Sequence, residues 1–338
     1  MKPNPLRIRV RAVATTLFCV LFIASLLANC RLDDVPTLVP PTVVDDPGLP
    51  RREITVLGKK RLVHWRTSGN PTNPVLFVMP GSLSDVFCYR PFEQFSDTYY
   101  VVLWDQRGQG LSQRVDRGEL GYDAMVEEIK AMKDALSPAK PISLLGHSWS
   151  AIFALLYAGK YPDDVTRLIL MEPFGFTSEI MSKADAGVLN LFTPGYLDMA
   201  WFSGMAPLDS HDALDFRMRG MLTSGVRPFF KDPDHFPEWP VRRVGGLALL
   251  AWESALLEGA QWRFDFSPSA ASVTARVLLV GSQYSYIGYD FQRTWNAPLF
   301  SKAASVETLL VPDSGHRMIT ENWNALKAGV GTFLGTQP

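Results

Sequence analysis

The stretch PISLLGHSWSAIFALLY, residues 141–157, places a serine between a predicted strand and a predicted helix. Its first five residues form an apolar run typical of a buried strand, and residues 151–161 have helical character. The turn between them, GHSWS at residues 146–150, has small residues at both ends, although Ser150 stands where a second glycine is usual. Such a sharp turn presents a serine hydroxyl to a cleft, so the pattern predicts a nucleophile at Ser148.

Short apolar runs elsewhere in the chain predict further strands. Two alternating segments, 53–57 and 61–65, indicate an antiparallel hairpin across Gly58-Lys59. The continuous apolar runs lie at 75–78, 100–104, 142–145, 168–171, 277–280 and 308–311, and helical patterns lie at 122–136, 151–161 and 322–333. This alternation predicts an α/β fold with a mostly parallel, doubly wound sheet that begins with an antiparallel hairpin.

One long segment interrupts the alternation. Residues 174–274 contain no clear strand but many Met, Phe and Trp residues, and a helical pattern from Val244 to Leu257. Because ligands of open α/β sheets bind outside the carboxyl ends of the strands, we interpret this segment as an inserted helical cap that lines a pocket. The core then comprises residues 51–173 and 275–338.

Three further segments follow predicted strands: Pro80-Gly81, the octapeptide DQRGQGLS at 105–112, and Gly315-His316. With the Ser148 turn they resemble the landmarks of the α/β-hydrolase superfamily, and most closely its prolyl iminopeptidase-like branch. The resemblance spans residues 53–335 apart from the cap. It implies that His316 activates Ser148 as a general base in the cleavage of a small ester or amide, without a cofactor.

The acid of the predicted Ser-His-acid triad departs from the family pattern. The family usually places an aspartate shortly after the strand at 277–280, where this chain has Tyr284 and Ser285. Glu172 follows the strand at 168–171, and haloalkane dehalogenases of the same superfamily take their acid from that strand end in a similar Met-Glu setting. We assign the acid to Glu172, with Asp290 or no acid as alternatives.

Backbone N–H groups are expected to stabilise the oxyanion of the reaction. One donor is the residue after the nucleophile, Trp149, and the second comes from the loop after residue 78. Pro80 has no N–H, so Met79, Gly81 or Ser82 is the second donor. Asp105 and Arg107, in the octapeptide, are interpreted as a structural charged arrangement at the turn.

Two alternatives to a simple esterase remain at this point. In the iminopeptidase-like branch, cap glutamates bind the free amino group of the substrate, and Trp252-Glu253 resembles such a segment, which implies an aminopeptidase. The missing aspartate and Ser150 instead favour a binding protein that keeps the fold without catalysis.

Composition excludes several other classes of function. The chain has 338 residues, 47% hydrophobic, with a formal net charge of −1, which does not support a nucleic-acid partner. We find no metal-binding His-Glu-x-x-His or Cys pair and no phosphate-binding Gly-Lys-Ser/Thr pattern, so no metal or cofactor is expected.

The first 50 residues are typical of an exported protein. A basic start and an apolar stretch, residues 12–28, predict a signal peptide over residues 1–30. Its end, Leu-Ala-Asn-Cys at 27–30, resembles a bacterial lipoprotein lipobox, which implies lipidation of Cys30 and attachment to the cell envelope, facing the periplasm or the outside. Plain secretion and an uncleaved anchor are the alternatives. The Pro- and Asp-rich residues 31–50 predict a solvated tether.

Overall fold

The computed structural model describes residues 39–184, 210–222, 229–232, 235, 237–258 and 261–336. The predicted signal peptide, the lipidation site at Cys30 and the first part of the predicted tether lie outside these residues. Part of the predicted cap, residues 185–209 and several positions between 223 and 260, also lies outside them.

The described residues contain an eight-stranded sheet and a small separate hairpin. The strands are β1 (Arg51–Val56), β2 (Lys59–Ser68), β3 (Val75–Met79), β4 (Tyr100–Trp104), β5 (Ile142–His147), β6 (Val165–Met171), β7 (Leu257–Glu258), β8 (Gln261–Trp262), β9 (Arg276–Ser282) and β10 (Ser305–Val311). The order in the large sheet is β1-β2-β4-β3-β5-β6-β9-β10, and β7 pairs with β8.

The sheet is mixed as the sequence predicts. β1 pairs with β2 and β2 with β4 in antiparallel register, and all other neighbours are parallel. The first hairpin turns at Leu57 and Gly58, both with positive φ, which is the backbone of the tight turns that suit twisted strands. The central strands β3 and β5 are buried along their whole length, which explains their unbroken apolar sequences.

Helices flank this sheet. They are α1 (Val86–Tyr89), α2 (Tyr122–Leu136), α3 (Trp149–Lys160), α4 (Ser178–Met181), α5 (His211–Leu222), α6 (Gly246–Ala255), α7 (Ser267–Ser272), α8 (Tyr289–Phe291), α9 (Met318–Glu321) and α10 (Trp323–Leu334). Short 3₁₀ helices cover Arg90–Phe95, Arg117–Glu119, Pro162–Asp164 and Ala297–Leu299, and a π-helix covers Gln292–Asn296. In the described part of the chain, we find no helix with both the length and the apolar character needed to cross a bilayer.

The insertion between β6 and β9 contributes α6 to the region above the Ser148 turn. The Trp252 indole of α6 is fully buried, and its Nε1 donates to the carbonyl of Leu120 at 2.8 Å. Its ring centroid lies 6.1 Å from that of Trp149, the first residue of α3. This contact places α6 at the carboxyl end of the central strands.

The last helix of the predicted cap segment packs with the core. Gly159 of α3 lies so close to α7 that an added Cβ would be 2.6 Å from the Ser269 carbonyl oxygen. Helix α7 therefore belongs to the layer of α3, which differs from the predicted boundary at residue 274.

Residues 39–50 differ from the solvated tether that composition predicts. The side chains of Val39 and Val43 are buried. The Val43 N–H donates to the Leu111 carbonyl at 2.8 Å, and Arg243 Nη1 donates to the Pro40 carbonyl at 3.1 Å. This part of the segment is bound to the domain because its valines fill an apolar surface that composition alone does not reveal.

Candidate active site

Ser148 lies on a strained turn between β5 and α3. Its backbone has φ 56° and ψ −122°, a region that non-glycine residues rarely occupy. Gly146 makes the turn possible, because a Cβ there would lie 2.4 Å from the Ser150 carbonyl oxygen. The Ser148 N–H donates to the Met171 carbonyl at 2.9 Å, which ties the turn to the end of β6. This backbone is that of a nucleophile elbow, the name we use for residues 146–150.

Ser150, the departure from the usual glycine, has a structural role. Its Oγ donates to the Pro80 carbonyl at 2.5 Å and accepts a hydrogen bond from Gln106 Nε2 at 2.8 Å. The hydroxyl therefore ties α3 to the loop after β3. Ser150 supports the elbow and gives no argument for lost activity.

Glu172 and His316 form a buried pair. His316 Nδ1 lies 2.5 Å from Glu172 Oε2, and both side chains are almost wholly enclosed. Glu172 directly follows β6, with φ 41°, and its N–H donates to the Val280 carbonyl. The other carboxylate oxygen, Oε1, accepts from the Ser282 N–H at 2.7 Å and the Ser282 Oγ at 2.5 Å. Ser282 thus fixes the carboxylate so that one oxygen faces the histidine.

Asp290, the alternative acid, lies elsewhere. Its side chain is 86% exposed and pairs with Arg293 at 3.2 Å, in the first turn of α8. The loop from Gln283 to Gly288 carries it away from His316 and out to the surface. The alternative assignment to Asp290 is therefore wrong in this structure, where the carboxylate bound to His316 is that of Glu172.

His316 lies beside the elbow. The ring centroid of His147, the residue before Ser148, is 4.5 Å from that of His316. Within the described residues, the Ser148 hydroxyl and the His316 ring do not form a hydrogen bond. Such a bond is often long or misaligned without substrate, and the three predicted residues lie in one region of the fold.

Two of the three candidates for the second oxyanion donor are engaged in other contacts in this structure. The Gly81 N–H donates to Tyr89 Oη at 3.0 Å, so the expectation that Gly81 is a donor is wrong for this state of the loop. Met79 is the last residue of β3 and pairs with Gly146 inside the sheet. Among the described residues, the N–H groups of Ser82 and Trp149 have no acceptor. These two remain the candidate donors for an oxyanion.

His147 is a neutral neighbour of the pair. It is fully buried, its Nδ1 is hydrogen-bonded to Tyr89 Oη, and burial holds its pKa well below the usual value. Burial also raises the pKa of Tyr89, so the hydroxyl donates and Nδ1 accepts. Tyr89 consequently links the elbow to Gly81 in the loop after β3.

Asp105 and Arg107 are buried and structural, but they do not pair with each other. Asp105 Oδ2 binds His64 Nδ1 at 2.8 Å and the Leu111 N–H at 2.9 Å. Arg107 Nε donates to Glu128 at 2.7 Å. The expected Asp–Arg arrangement is thus two separate buried pairs.

Glu253, on α6, is a partly buried carboxylate that forms no ion pair with a described residue. Desolvation raises its pKa from 4.5 to about 7, and its charge acts on Tyr286, whose ring centroid lies 6.5 Å from that of His316. We find no hydrogen bond or ion pair from its carboxylate to any described residue.

Residues 39–184, 210–222 and the other described segments contain no group of His, Cys, Asp and Glu side chains that could hold a metal.

Three supporting residues were missed in the sequence: Ser282, Tyr89 and the role of Ser150. Ser282 lies at the end of β9, next to the position where the family acid is usual. This position is the one feature of the sequence that could have indicated a role for Ser282. Tyr89 and Ser150 act through contacts 58 and 70 residues away along the chain, for which no local pattern exists.

Comparisons with known proteins agree on the fold. A model of the alpha/beta hydrolase fold family matches residues 74–203, which include the elbow and Glu172. The chain is 32% identical over 142 residues to a putative proline iminopeptidase of Mycoplasma genitalium, covering 41% of this chain and 45% of that protein. It is 28% identical over 223 residues to a 2-(acetamidomethylene)succinate hydrolase of Mesorhizobium japonicum, covering 63% and 72%. The chain thus spans about half the length of the curated iminopeptidase relatives that it matches.

Solved structures give the same result at low identity. The chain is similar to the epoxide hydrolase CorEH with a TM-score of 0.61 and 17% identity, covering 84% of this chain and 98% of that one. At such identity the likeness concerns the fold alone. The prediction of an α/β fold with a mostly parallel sheet is confirmed.

Proposed function

We propose that this chain, which has the α/β-hydrolase fold, is a serine hydrolase that cleaves a small ester or amide. Ser148 is the nucleophile, His316 the general base and acid, and Glu172 the residue that orients His316. The observation that carries the proposal is the 2.5 Å contact of His316 Nδ1 with the buried Glu172 carboxylate, beside a serine on a strained elbow.

The reaction follows from these positions. Ser148 Oγ attacks the carbonyl carbon while its proton passes to His316 Nε2. The N–H groups of Ser82 and Trp149 stabilise the oxyanion, and His316 then gives the proton to the leaving oxygen or nitrogen. Water, deprotonated by His316, attacks the acyl-enzyme and releases the acid and the serine. Glu172 stabilises the imidazolium through Nδ1 in both halves of the reaction.

A carboxylate nucleophile does not fit this chain. Epoxide hydrolases and haloalkane dehalogenases of the superfamily use an aspartate at the elbow, where this chain has Ser148. The likeness to epoxide hydrolases therefore extends to the fold and not to the proposed chemistry.

Active-site labelling tests the proposal directly. A fluorophosphonate probe should label the wild-type chain and fail to label Ser148→Ala. The matched control is Ser272→Ala, because the half-buried Ser272 donates its hydroxyl only to the Pro268 carbonyl of its own helix. Absence of Ser148-dependent labelling, together with no hydrolysis of nitrophenyl esters or aminoacyl-naphthylamides, would favour the binding protein that keeps the fold without catalysis.

Glu253 supports aminopeptidase activity as a second candidate. A partly buried carboxylate that no described cation pairs with, close enough to the tyrosine beside His316 to raise its pKa, suits the ammonium group of an aminoacyl substrate. The similarity to a putative proline iminopeptidase points to the same class of substrate.

For that activity we expect a specific pH dependence. Loss of the Glu253 proton near pH 7 creates the charge that holds a substrate ammonium, so kcat/KM for an aminoacyl-naphthylamide should rise through about pH 7. Because the catalytic groups contribute their own pH dependence to both substrates, the readout is the ratio to kcat/KM for a neutral ester. Glu253→Gln should flatten that ratio, whereas Glu258→Gln, an exposed position, should not. A ratio that is flat in the wild type would remove the aminopeptidase candidate.

We also propose that the chain is exported and acylated at Cys30. The basic start, the apolar stretch and the Leu-Ala-Asn-Cys sequence at 27–30 support this. Cys30→Ser should move the protein out of the membrane fraction or change its gel mobility, and Cys19→Ser, in the apolar stretch, should do neither. Unchanged fractionation and mobility of Cys30→Ser would contradict acylation.

A further inference from the structure

Arg317, the residue after His316, is a buried cation that the proposed reaction does not use. Its side chain is 2% exposed. The guanidinium carbon lies 4.2 Å from the ring centroid of Trp239 and 5.2 Å from that of Phe229. The Arg317 N–H donates to the Phe229 carbonyl at 2.9 Å, which holds the backbone at this position.

Arg317 differs from every comparably buried cation in the described part of the chain. The other three each face a carboxylate: Arg107 with Glu128 at 2.7 Å, Lys133 with Asp164 at 2.9 Å, and Arg243 with Asp215 at 2.8 Å. The Arg317 guanidinium has no such partner and donates no hydrogen bond to a described residue, and its Nε is sealed from solvent.

Among the described residues, no group around the guanidinium carries a compensating charge. The described titratable groups close enough to interact electrostatically with Arg317 are Tyr89, Cys88 and His147. Burial raises the pKa of Tyr89 and Cys88 and lowers that of His147, so all three are neutral near pH 7. Burial likewise lowers the pKa of Arg317. An enclosed charge without a partner is costly, and proteins rarely keep one unless a bound group completes it.

The position of Arg317 connects it to the candidate active site. The Phe229 ring centroid is 5.6 Å from that of His316, and the Trp239 ring centroid is 6.4 Å from that of Tyr89. Tyr89 in turn binds His147 and the Gly81 N–H of the loop after β3. The guanidinium therefore belongs to the group of side chains around the two histidines.

We propose that Arg317 binds a carboxylate group of the substrate. The inference rests on the serine hydrolase function proposed above and narrows its substrate class to esters or amides of acids with a second, ionised carboxyl group. A planar guanidinium that donates no hydrogen bond to a described residue matches a carboxylate in two parallel hydrogen bonds. The Arg317 guanidinium carries one positive charge that no described carboxylate neutralises. It therefore matches the single negative charge of a carboxylate better than the two charges of a phosphate dianion.

Two ester substrates of equal shape test this. Monoethyl succinate ends in a carboxylate, and ethyl 4-methylpentanoate ends in an uncharged isopropyl group of similar shape. Hydrolysis of either ester releases ethanol. We expect wild-type kcat/KM to favour the succinate by at least about tenfold. Arg317→Met should lower that preference by about 10- to 100-fold, and Arg317→Lys should restore part of it. Arg293→Met, at an exposed arginine paired with Asp290, is the matched control.

The wild-type measurement decides the proposal even when Arg317→Met does not fold. An equal or reversed preference of the wild type would overturn it. Binding to Ser148→Ala, which does not turn the esters over, gives a second readout: monoethyl succinate should raise Tm, and the neutral ester should not. A Tm shift without hydrolysis or labelling would refute the hydrolase function and keep Arg317 as a carboxylate site, whereas hydrolysis without the preference would refute only the role of Arg317.

Discussion

Ser148→Ala is expected to reduce kcat for a nitrophenyl ester by about 10⁴- to 10⁶-fold, down to the rate that binding and the oxyanion donors supply alone. The loss is this large because alanine has no atom that can form the acyl-enzyme, and water does not occupy the same position with the same orientation. Single-turnover kinetics with a chromogenic ester, compared with wild type and Ser272→Ala, measure it.

The substitution should leave the fold intact, which makes the loss interpretable. Alanine at φ 56° carries the same Cβ strain as serine, and the Ser148 N–H keeps its bond to Met171. Ser148→Gly should even raise the free energy of unfolding by about 1 kcal/mol, since glycine adopts positive φ without strain. A Ser148→Ala protein with unchanged Tm and nearly full activity would refute the nucleophile assignment.

Glu172→Gln is expected to lower kcat by about 10⁴-fold without unfolding the chain. Glutamine fills the same space, and its oxygen can accept from Ser282 as Glu172 Oε1 does. Its amide nitrogen then donates toward His316 Nδ1, which holds the ring in the tautomer that has the proton on Nε2. That tautomer cannot accept the proton of Ser148, and the imidazolium loses the charge that stabilises it.

Asp290→Asn is the matched control for Glu172→Gln. Both changes remove one carboxylate charge, but Asp290 is exposed and pairs with Arg293. We expect kcat within about twofold of wild type for Asp290→Asn, in line with the small effect of surface substitutions. The reverse pattern, with activity lost in Asp290→Asn and kept in Glu172→Gln, would show that the acid comes from another strand in the working enzyme.

The sequence predicts most of the fold because its signal is local. Unbroken apolar runs mark strands with two covered faces, and the 3.6-residue periodicity of residues 122–136 matches the observed helix α2. Prediction fails where a contact outside the local pattern decides the outcome. The segment 39–50 looks solvated by composition but packs through Val43, whose N–H donates to the Leu111 carbonyl. The sequence predicts Gly81 as a donor to the oxyanion, but the hydroxyl of Tyr89 accepts its N–H. The hydrophobic periodicity of the sequence indicates neither the packing of residues 39–50 nor the partner of the Gly81 N–H.

By itself, the sequence determined the α/β architecture, the elbow at Ser148 and the order of serine and histidine. Each strand, turn and helix has a local pattern, and the order of these patterns along the chain is the sequence itself. It left the acid open between Glu172, Asp290 and no acid at all, since both carboxylates follow strands that end at the same edge of the sheet. Only the tertiary structure decided where those side chains lie: Ser282 and His316, 110 and 144 residues from Glu172, hold its carboxylate. Whether a buried charge such as Arg317 is compensated is decided the same way, because electrostatic partners are neighbours in space and not along the chain.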